Sequence, residues 1–173
     1  PVAAEIDTLM LGDSPNDIAQ SMAKGIEGFS EVFAVKPPDI LVVLGDRYEM
    51  FAAACAAVPF AIPLAHIHGG ETTEGAIDEA FRHAITKMSH LHFASTAAYG
   101  TRIVQMGEQP DRVFVSGAPG LDNLHGFVPL SDAELENLIG IPLDPAPLVV
   151  TYHPATLEHG STDAHIGALL SAL

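Results

Sequence analysis

Apolar and polar positions change period several times along the chain. After Ser14-Pro15, a pair typical of a helix start, apolar residues recur every three or four positions, and this pattern ends before Pro37-Pro38. Residues 40–44 then form a continuous apolar run that Gly45 closes. Such a run predicts a strand covered on both faces, as in parallel sheets.

The same alternation continues as far as Ser116. The pattern predicts helices over 48–57, 76–88 and 97–106, and strands over 62–67, 91–95 and 113–116. Strands that alternate with helices of this length are typical of right-handed crossover units in an open parallel sheet. The predicted fold class is therefore α/β.

The pattern changes after the last of these strands. Residues 117–130 are rich in Gly and Pro, which indicates a boundary between domains. A helix is expected over 132–139 and an apolar strand over 147–152, so that a second α/β unit begins there. Because the chain starts at Pro1 and stops within an apolar helical pattern, we expect it to be truncated at both ends.

Charge and cysteine content narrow the choice of partners. Seven Lys and Arg against 22 Asp and Glu give a net charge of −15, which repels nucleic acid and anionic lipid surfaces. Cys55 is the only cysteine, so neither an internal disulfide nor a thiolate metal site can form. The sequence shows neither a membrane-spanning stretch nor a leader. We expect a cytoplasmic protein that binds neither nucleic acid nor membranes.

Ionisable side chains follow the predicted strands directly. Asp46 and Arg47 follow the first strand, HIHGGE (66–71) ends the second, and His153 follows the strand at 147–152. Ligands of open α/β sheets bind beyond the carboxyl ends of the strands. These polar groups should therefore share one edge of the sheet, with glycines that let the backbone approach a ligand.

Asp78 and Arg82 lie four positions apart and should share a helix face close to Glu71. One interpretation is a surface ion pair worth only ~0.3–0.5 kcal/mol. The proximity of Glu71 favours another, in which the arginine keeps Asp78 ionised as a base or an orienting group. Glu79 and His83 should face solvent or an interface.

A metal hydrolase is an alternative, because His66-x-His68, His90-x-His92 and Asp46 resemble metal-ligand sets. His90 and His92, however, begin their predicted strand, at the edge opposite Asp46. A structural role is therefore favoured for both, and no metal site is predicted. Neither a dinucleotide fingerprint, nor a P-loop, nor a Gly-x-Ser-x-Gly elbow is present.

Four segments together closely resemble the hydrolysing UDP-N-acetylglucosamine 2-epimerases of sialic-acid biosynthesis. They are GDRYEM (45–50), AHIHGGETTEGAIDEAFRHAITKMSHLHF (65–93), VSGAPGLDNL (115–124) and TYHPAT (151–156). The resemblance covers nearly the whole chain, and its central motif, HGGE followed by IDEAFRHAITK, is long and specific.

The resemblance implies two Rossmann-like domains in a glycosyltransferase-B arrangement, with the active site in the cleft between them. Residues 1–120 would be the N-terminal domain without its first strand unit, and residues 121–173 a linker and the start of the second domain. Part of the substrate site would then lie outside the chain, so we expect this chain alone to be inactive or weak.

The implied reaction converts UDP-GlcNAc and water to UDP and N-acetylmannosamine, through elimination to a glycal and addition of water, without a cofactor. Asp46, Glu71 and Asp78 match the family's carboxylates and are the acid/base candidates, Glu71 and Asp78 for proton transfers around C2 and the added water. The implied substrate-binding positions are Arg82, His153, Arg47, His68 and Gly70.

Three other functions stay open. The substrate could be a UDP-2,4-diacetamido-trideoxy-hexose, the enzyme could be non-hydrolysing and return UDP-ManNAc, or the domain could bind a UDP-sugar without catalysis. The non-hydrolysing enzymes carry a different, glycine-poor version of the HGGE loop and rank below the hydrolysing ones. We expect a homo-oligomer, either a dimer or a tetramer.

Overall fold

The computed structural model of the protein describes residues 2–10, 12 and 14–173. Contacts divide the chain into two compact units, Pro1–Ala118 and Pro119–Leu173. The assignment of residues 1–120 to an N-terminal Rossmann-like domain and of 121–173 to the start of a second one remains a prediction.

The first unit contains one sheet of four parallel strands in the order β1-β2-β3-β4. Its elements, in chain order, are α1 (Pro15–Val35), β1 (Leu41–Leu44), α2 (Tyr48–Ala57), β2 (Leu64–Ile67), α3 (Asp78–Met88), β3 (Leu91–Ala94), α4 (Ala97–Gln105) and β4 (Val113–Val115). The strands pair in register, with Val43 opposite His66 and His66 opposite His92. The predicted α/β fold with an open parallel sheet is confirmed.

Helix α1 begins where its sequence predicts. The Ser14 hydroxyl accepts from the backbone N–H of Asp17 at 3.2 Å, the Asp17 carboxylate accepts from the backbone N–H of Ser14 at 3.2 Å, and Pro15 occupies the first turn. The helix ends at Val35, before the two prolines. Although α1 runs over 21 residues, no helix in the described part of the chain is both long and apolar enough to cross a membrane.

The hydrophobic core lies between the helices and one face of the sheet. Helix α2 packs against α1, α3 and β1 through a run of buried alanines, which permits close approach. At the α1–α2 contact, a Cβ on Gly25 would lie 2.9 Å from the Cβ of Ala52. Leu64 and Ile85 are fully buried beside them, and burial of each such side chain contributes about 1.5–3 kcal/mol. This packing fixes the strand ends from which the site is built.

The prediction that the first strand is covered on both faces is wrong for the described residues. Val43 is buried, whereas Val42 and Leu44, on the opposite face, are 57% and 54% exposed. Right-handed crossovers between strands in sequential order place the connecting helices on one face of a sheet. The other face of β1 therefore receives no covering helix from this part of the chain.

The second unit contains two α-helices, α5 (Asp132–Ile139) and α6 (Thr162–Ala172). Helix α5 matches its prediction, with a capping box between Ser131 and Glu134 and a left-handed Gly140 at its end. The predicted strand over 147–152 is wrong, because these residues have no strand partner in the described part of the chain. Leu148 and Val149 are 85% and 92% exposed.

Candidate active site

Arg82 of α3 is the centre of a polar cluster at the carboxyl edge of the sheet. Its Nη2 donates to the Asp46 carboxylate and to Thr73 Oγ1, the latter at 3.0 Å, and its Nη1 donates to the backbone carbonyl of His68 at 2.7 Å. Nη1 also lies 3.6 Å from Glu71 Oε2. The side chain of Arg82 is only 8% exposed. One guanidinium thus joins the end of β1 to the loop after β2.

The predicted pair between Asp78 and Arg82 is not formed. A helical side chain leans toward the N-terminus of its helix, and Arg82 reaches past the first turn of α3 to Asp46 and Glu71. Asp78 is half-buried at the start of α3, and no side-chain hydrogen bond of Asp78 is present among the described residues. The pKa of Arg47 is raised first by Glu49 and, to a smaller extent, by Asp78.

Glu71 is held by several donors. His68 Nδ1 lies 2.6 Å from Oε1, and Ser95 Oγ donates to the same oxygen at 2.6 Å. Burial alone would raise the pKa of Glu71, but the hydrogen bonds from Ser95 and His68, together with the charge of Arg82, lower it below its ordinary value. Glu71 is therefore a carboxylate at neutral pH.

His68 lies just beyond the end of β2, in a left-handed backbone conformation with φ +67°. This conformation costs a non-glycine residue about 1–2 kcal/mol. Two backbone hydrogen bonds hold it, one from its N–H to the Phe93 carbonyl at 3.0 Å and one to its carbonyl from Arg82. In a regular strand, His66 and His68 would point to the same face. Because the chain turns at His68, its side chain has different partners from those of His66.

His66 is a buried support beneath this edge. Its Nε2 donates to the carbonyl of Gly45 at 2.8 Å, and its Nδ1 lies 3.2 Å from Thr86 Oγ1. The side chain is completely buried, and burial lowers its pKa to about 4. The neutral imidazole therefore connects the end of β1 to α3.

His92, opposite His66 in the sheet, is also fully buried. Its Nε2 lies 3.3 Å from Glu108 Oε2, without the geometry of a hydrogen bond. Burial lowers the pKa of His92, and Glu108 only partly opposes this effect. In the stretches that the structure describes, no group of three or more His, Cys, Asp or Glu side chains is arranged to hold a metal ion.

Three contributors to the cluster are absent from the sequence prediction. Ser95 directly follows β3, so the rule that singles out Asp46 and Glu71 also applies to Ser95. Thr73 donates to the Asp46 carboxylate at 3.0 Å, and Arg102 of α4 donates to the carbonyl of Gly70. Neither Thr73 nor Arg102 has a local sequence signal, because their partners lie far away along the chain.

The sequence profile of the UDP-N-acetylglucosamine 2-epimerases matches residues 2–173. The chain belongs to this family. It is 39% identical over 99% of its length to a hydrolysing GDP/UDP-N,N'-diacetylbacillosamine 2-epimerase of Campylobacter jejuni. It is 43% identical over 92% of its length to the polysialic acid biosynthesis protein P7 of Escherichia coli. The chain spans only 45% and 41% of those two relatives.

A solved structure of the family has a similar fold. The crystal structure of UDP-GlcNAc 2-epimerase from Neisseria meningitidis bound to UDP-GlcNAc matches 75% of this chain with a TM-score of 0.61 and 25% sequence identity. The match covers 35% of that chain. The parallel sheet is therefore that of the epimerase family.

The three remaining predicted site residues have different surroundings. The Arg47 side chain is 70% exposed and pairs with Glu49 at 2.8 Å. Gly70, with φ +76°, is packed against α4. His153 is exposed in the second unit and follows an irregular segment, not the predicted strand end. A cavity of about 700 Å³ in the first unit lies between residues 3–4 and the end of α1 and does not include this site.

Proposed function

We propose that the full-length protein is a hydrolysing UDP-GlcNAc 2-epimerase, which converts UDP-GlcNAc and water to UDP and N-acetylmannosamine. The observation that carries the proposal is the meeting of Asp46 and Glu71, from two strand ends, on the buried guanidinium of Arg82. Family membership and the relative from Campylobacter jejuni, which is named as hydrolysing, support the reaction type.

The reaction needs proton transfers on two faces of C2. A base removes the C2 proton while the C1–O bond to UDP breaks, which gives UDP and a glycal. Water then adds its oxygen to C1, and a proton returns to C2 from the opposite face, which inverts that centre. We assign these proton transfers to Glu71 and Asp78, with Asp46 as the companion that holds Arg82 in place.

The different surroundings of the carboxylates support this division of labour. Glu71 is ionised and held by His68 and Ser95, whereas Asp78 makes no side-chain hydrogen bond among the residues that the structure describes. Asp46 accepts from both Arg82 and Thr73. Carboxylates in distinct environments can act as acid and base in one site.

The diphosphate of the substrate must be held by a few placed cations, because the chain carries a net charge of −15. Arg82 is committed to Asp46 and to the loop carbonyl. We therefore assign diphosphate contacts to exposed Arg47 and to His153, beside backbone N–H groups. The Neisseria meningitidis structure bound to UDP-GlcNAc supports a UDP-sugar as the ligand.

A second substrate is favoured by one specific observation. The relative from Campylobacter jejuni is named for GDP/UDP-N,N'-diacetylbacillosamine, which carries a second acetamido group in place of a sugar hydroxyl. The match of residues 2–173 to the UDP-N-acetylglucosamine 2-epimerase family supports UDP-GlcNAc as the main substrate. The reaction at C1 and C2 is the same for both sugars.

Kinetics of the full-length protein with UDP-GlcNAc and with UDP-N,N'-diacetylbacillosamine test the proposal. We expect release of UDP from UDP-GlcNAc together with free N-acetylmannosamine. A kcat/KM at least about tenfold higher for the diacetamido sugar, roughly 1.4 kcal/mol in transition-state binding, would favour the second substrate. UDP-ManNAc as the product, or binding of both nucleotides without turnover, would contradict the hydrolysing assignment.

We also propose that the enzyme is a cytoplasmic homo-oligomer, a dimer or a tetramer, in a sialic-acid-type pathway. The name of the polysialic acid protein P7 supports the pathway. The 173-residue chain alone should show little or no turnover, because it spans less than half of these relatives. Light scattering of the full-length protein and a turnover assay of the chain test these two statements.

A further inference from the structure

We propose that His68 is a catalytic residue, whose Nε2 removes the C2 proton of the sugar while Glu71 positions its ring. This inference rests on the proposed epimerase function and deepens it. It changes the role of His68 from a substrate contact to a base, and the role of Glu71 from a direct base to a positioning residue.

The two ring nitrogens of His68 have different surroundings. His68 Nδ1 lies 2.6 Å from the Glu71 carboxylate, which can only accept, so that Nδ1 carries the proton of this bond. Nε2 of the neutral ring then has a free lone pair. In the part of the chain that the structure describes, Nε2 has no hydrogen-bond partner and is not among the buried unpartnered nitrogens, so it is not fully buried.

Nearby His66 shows what a structural histidine looks like at this edge. Both of its ring nitrogens have protein partners and its side chain is fully buried. The side chain of His68, by contrast, is 21% exposed and only one of its nitrogens is bonded. The HIHGGE motif thus contains one histidine with both ring nitrogens bonded to the protein and one with a single bonded ring nitrogen.

Both carboxylate oxygens of Glu71 lie close to donor groups of the protein. Its Oε1 accepts from both His68 and Ser95, and its Oε2 lies 3.6 Å from Arg82. A carboxylate stabilised by these groups binds a proton weakly, which suits the stabilisation of an imidazolium better than direct proton abstraction. Ser95 and Arg82 also fix the carboxylate, and through it the orientation of the imidazole.

The backbone of His68 has a left-handed conformation. Its φ of +67° is rare for a residue with a Cβ and is maintained by the Phe93 carbonyl and by Arg82. Such strain is concentrated at functional sites, where the surrounding structure holds a side chain in one place. Here it places His68 just beyond the end of β2, where ligands of parallel sheets bind.

In the proposed step, removal of the C2 proton and loss of UDP occur together. Nε2 forms a bond to the C2 hydrogen, the electrons of the C2–H bond form the C1–C2 double bond, and the C1–O bond breaks with its electron pair leaving on UDP. The products are UDP, the glycal and an imidazolium whose charge Glu71 faces. The imidazolium loses this proton to solvent before the next turnover.

Two substitutions in the full-length enzyme test the inference. Asn and Gly both tolerate a positive φ, so H68N and H68G should keep the fold and melt close to the wild type. We expect kcat to fall at least about a hundredfold in both variants, the scale of general base catalysis. The Kd for UDP should change less than threefold, and added imidazole should restore part of the activity of H68G. H90N, at the opposite end of the sheet, is the matched control and should stay close to wild-type turnover.

The outcomes separate the two proposals. If the wild type converts UDP-sugar and H68N loses turnover with unchanged UDP affinity and imidazole rescue of H68G, the inference holds. If the wild type is active and the turnover of H68N stays within a few-fold of it, the inference fails and the epimerase proposal stands. The same holds if the loss of activity is not rescued by imidazole and follows weaker UDP binding. A wild type that turns over no UDP-sugar overturns both proposals.

Discussion

The guanidinium of Arg82 on α3 donates to the carboxylate of Asp46 at the end of β1, across 36 positions of the chain. The two side chains are 8% and 17% exposed. Each therefore neutralises a largely buried charge that would be costly without a counter-ion. The GDR and IDEAFRH segments thus meet through one ion pair.

Replacement of Arg82 by methionine should destabilise the protein strongly. Arg82→Met leaves the Asp46 carboxylate without its cation and the His68 carbonyl without its donor. We expect the free energy of unfolding to fall by about 3 kcal/mol, measured by urea denaturation. Activity should also be lost, because the His68 turn loses its support.

The matched control is Arg47→Met. The Arg47 side chain is 70% exposed and pairs with Glu49 at the surface, so this change should cost less than ~0.5 kcal/mol. Equal destabilisation by the two substitutions would show that the buried Arg82–Asp46 pair contributes no more to stability than the surface pair of Arg47.

Gly70 should not tolerate a side chain. A Cβ there would lie 2.5 Å from the Tyr99 carbonyl oxygen and 2.7 Å from Cγ1 of Ile103, and φ is +76°. Gly70→Ala should therefore cost about 2–4 kcal/mol, the sum of overpacking and backbone strain. Gly117, with φ +81° and open space around it, is the control, and Gly117→Ala should cost only about 1 kcal/mol. Thermal melting compares the two variants, and similar costs would rule out the close contact with α4.

Local sequence patterns predicted the elements of the first unit well, because each element carries its own signal. The pair Ser14-Pro15 marked the start of α1, and the apolar runs before Gly45 and His68 marked β1 and β2. The strand over 147–152 failed because a strand needs a neighbour, which an apolar run alone does not provide. The exposure of Val42 likewise depends on which face the crossover helices cover.

The sequence predicted where the site lies, but only some of the contacts between its side chains. The strand-end rule located Asp46 and Glu71, since it depends only on sheet direction. The helical spacing of Asp78 and Arg82 suggested a pair, but the guanidinium of Arg82 lies against Asp46 and Glu71, which tertiary folding brings to it. The donation from Arg102 to the Gly70 carbonyl has no local signature at all.

The burial of His66 should make stability depend on pH. Its folded pKa of about 4 lies below the ordinary 6.5, so the unfolded chain binds the proton first. The stability from neutral His66 is fully present above pH 6.5 and is lost progressively as the pH falls toward 4. Between about pH 7.5 and about pH 5 it should contribute roughly 2 kcal/mol to the loss of unfolding free energy.

His66→Gln isolates this contribution. The lowered pKa of His92 acts in the same direction, and it remains in the variant, so the difference between the two urea-denaturation profiles reports His66. The carboxylates with lowered pKa values lose their stabilisation mainly below their ordinary 4.5. Parallel pH profiles for wild type and variant would show that His66 is not buried in its neutral form.

Asp78 should matter for turnover and hardly for folding. Its side chain makes no hydrogen bond among the described residues, so Asp78→Asn should change the unfolding free energy by less than ~0.5 kcal/mol. As an acid/base group it should nevertheless lower kcat at least about a hundredfold. Asp111 lies just before β4, at the other edge of the sheet. The control, Asp111→Asn, should keep wild-type turnover. Full activity of Asp78→Asn would remove Asp78 from the mechanism.

The most direct test of the account is NMR of the sugar that the full-length enzyme releases from UDP-GlcNAc in deuterated water. Proton removal from C2 and its return from solvent predict free N-acetylmannosamine with deuterium at C2, formed in equal amount with UDP. Release of N-acetylglucosamine, or of N-acetylmannosamine that retains the original hydrogen at C2, would contradict the account.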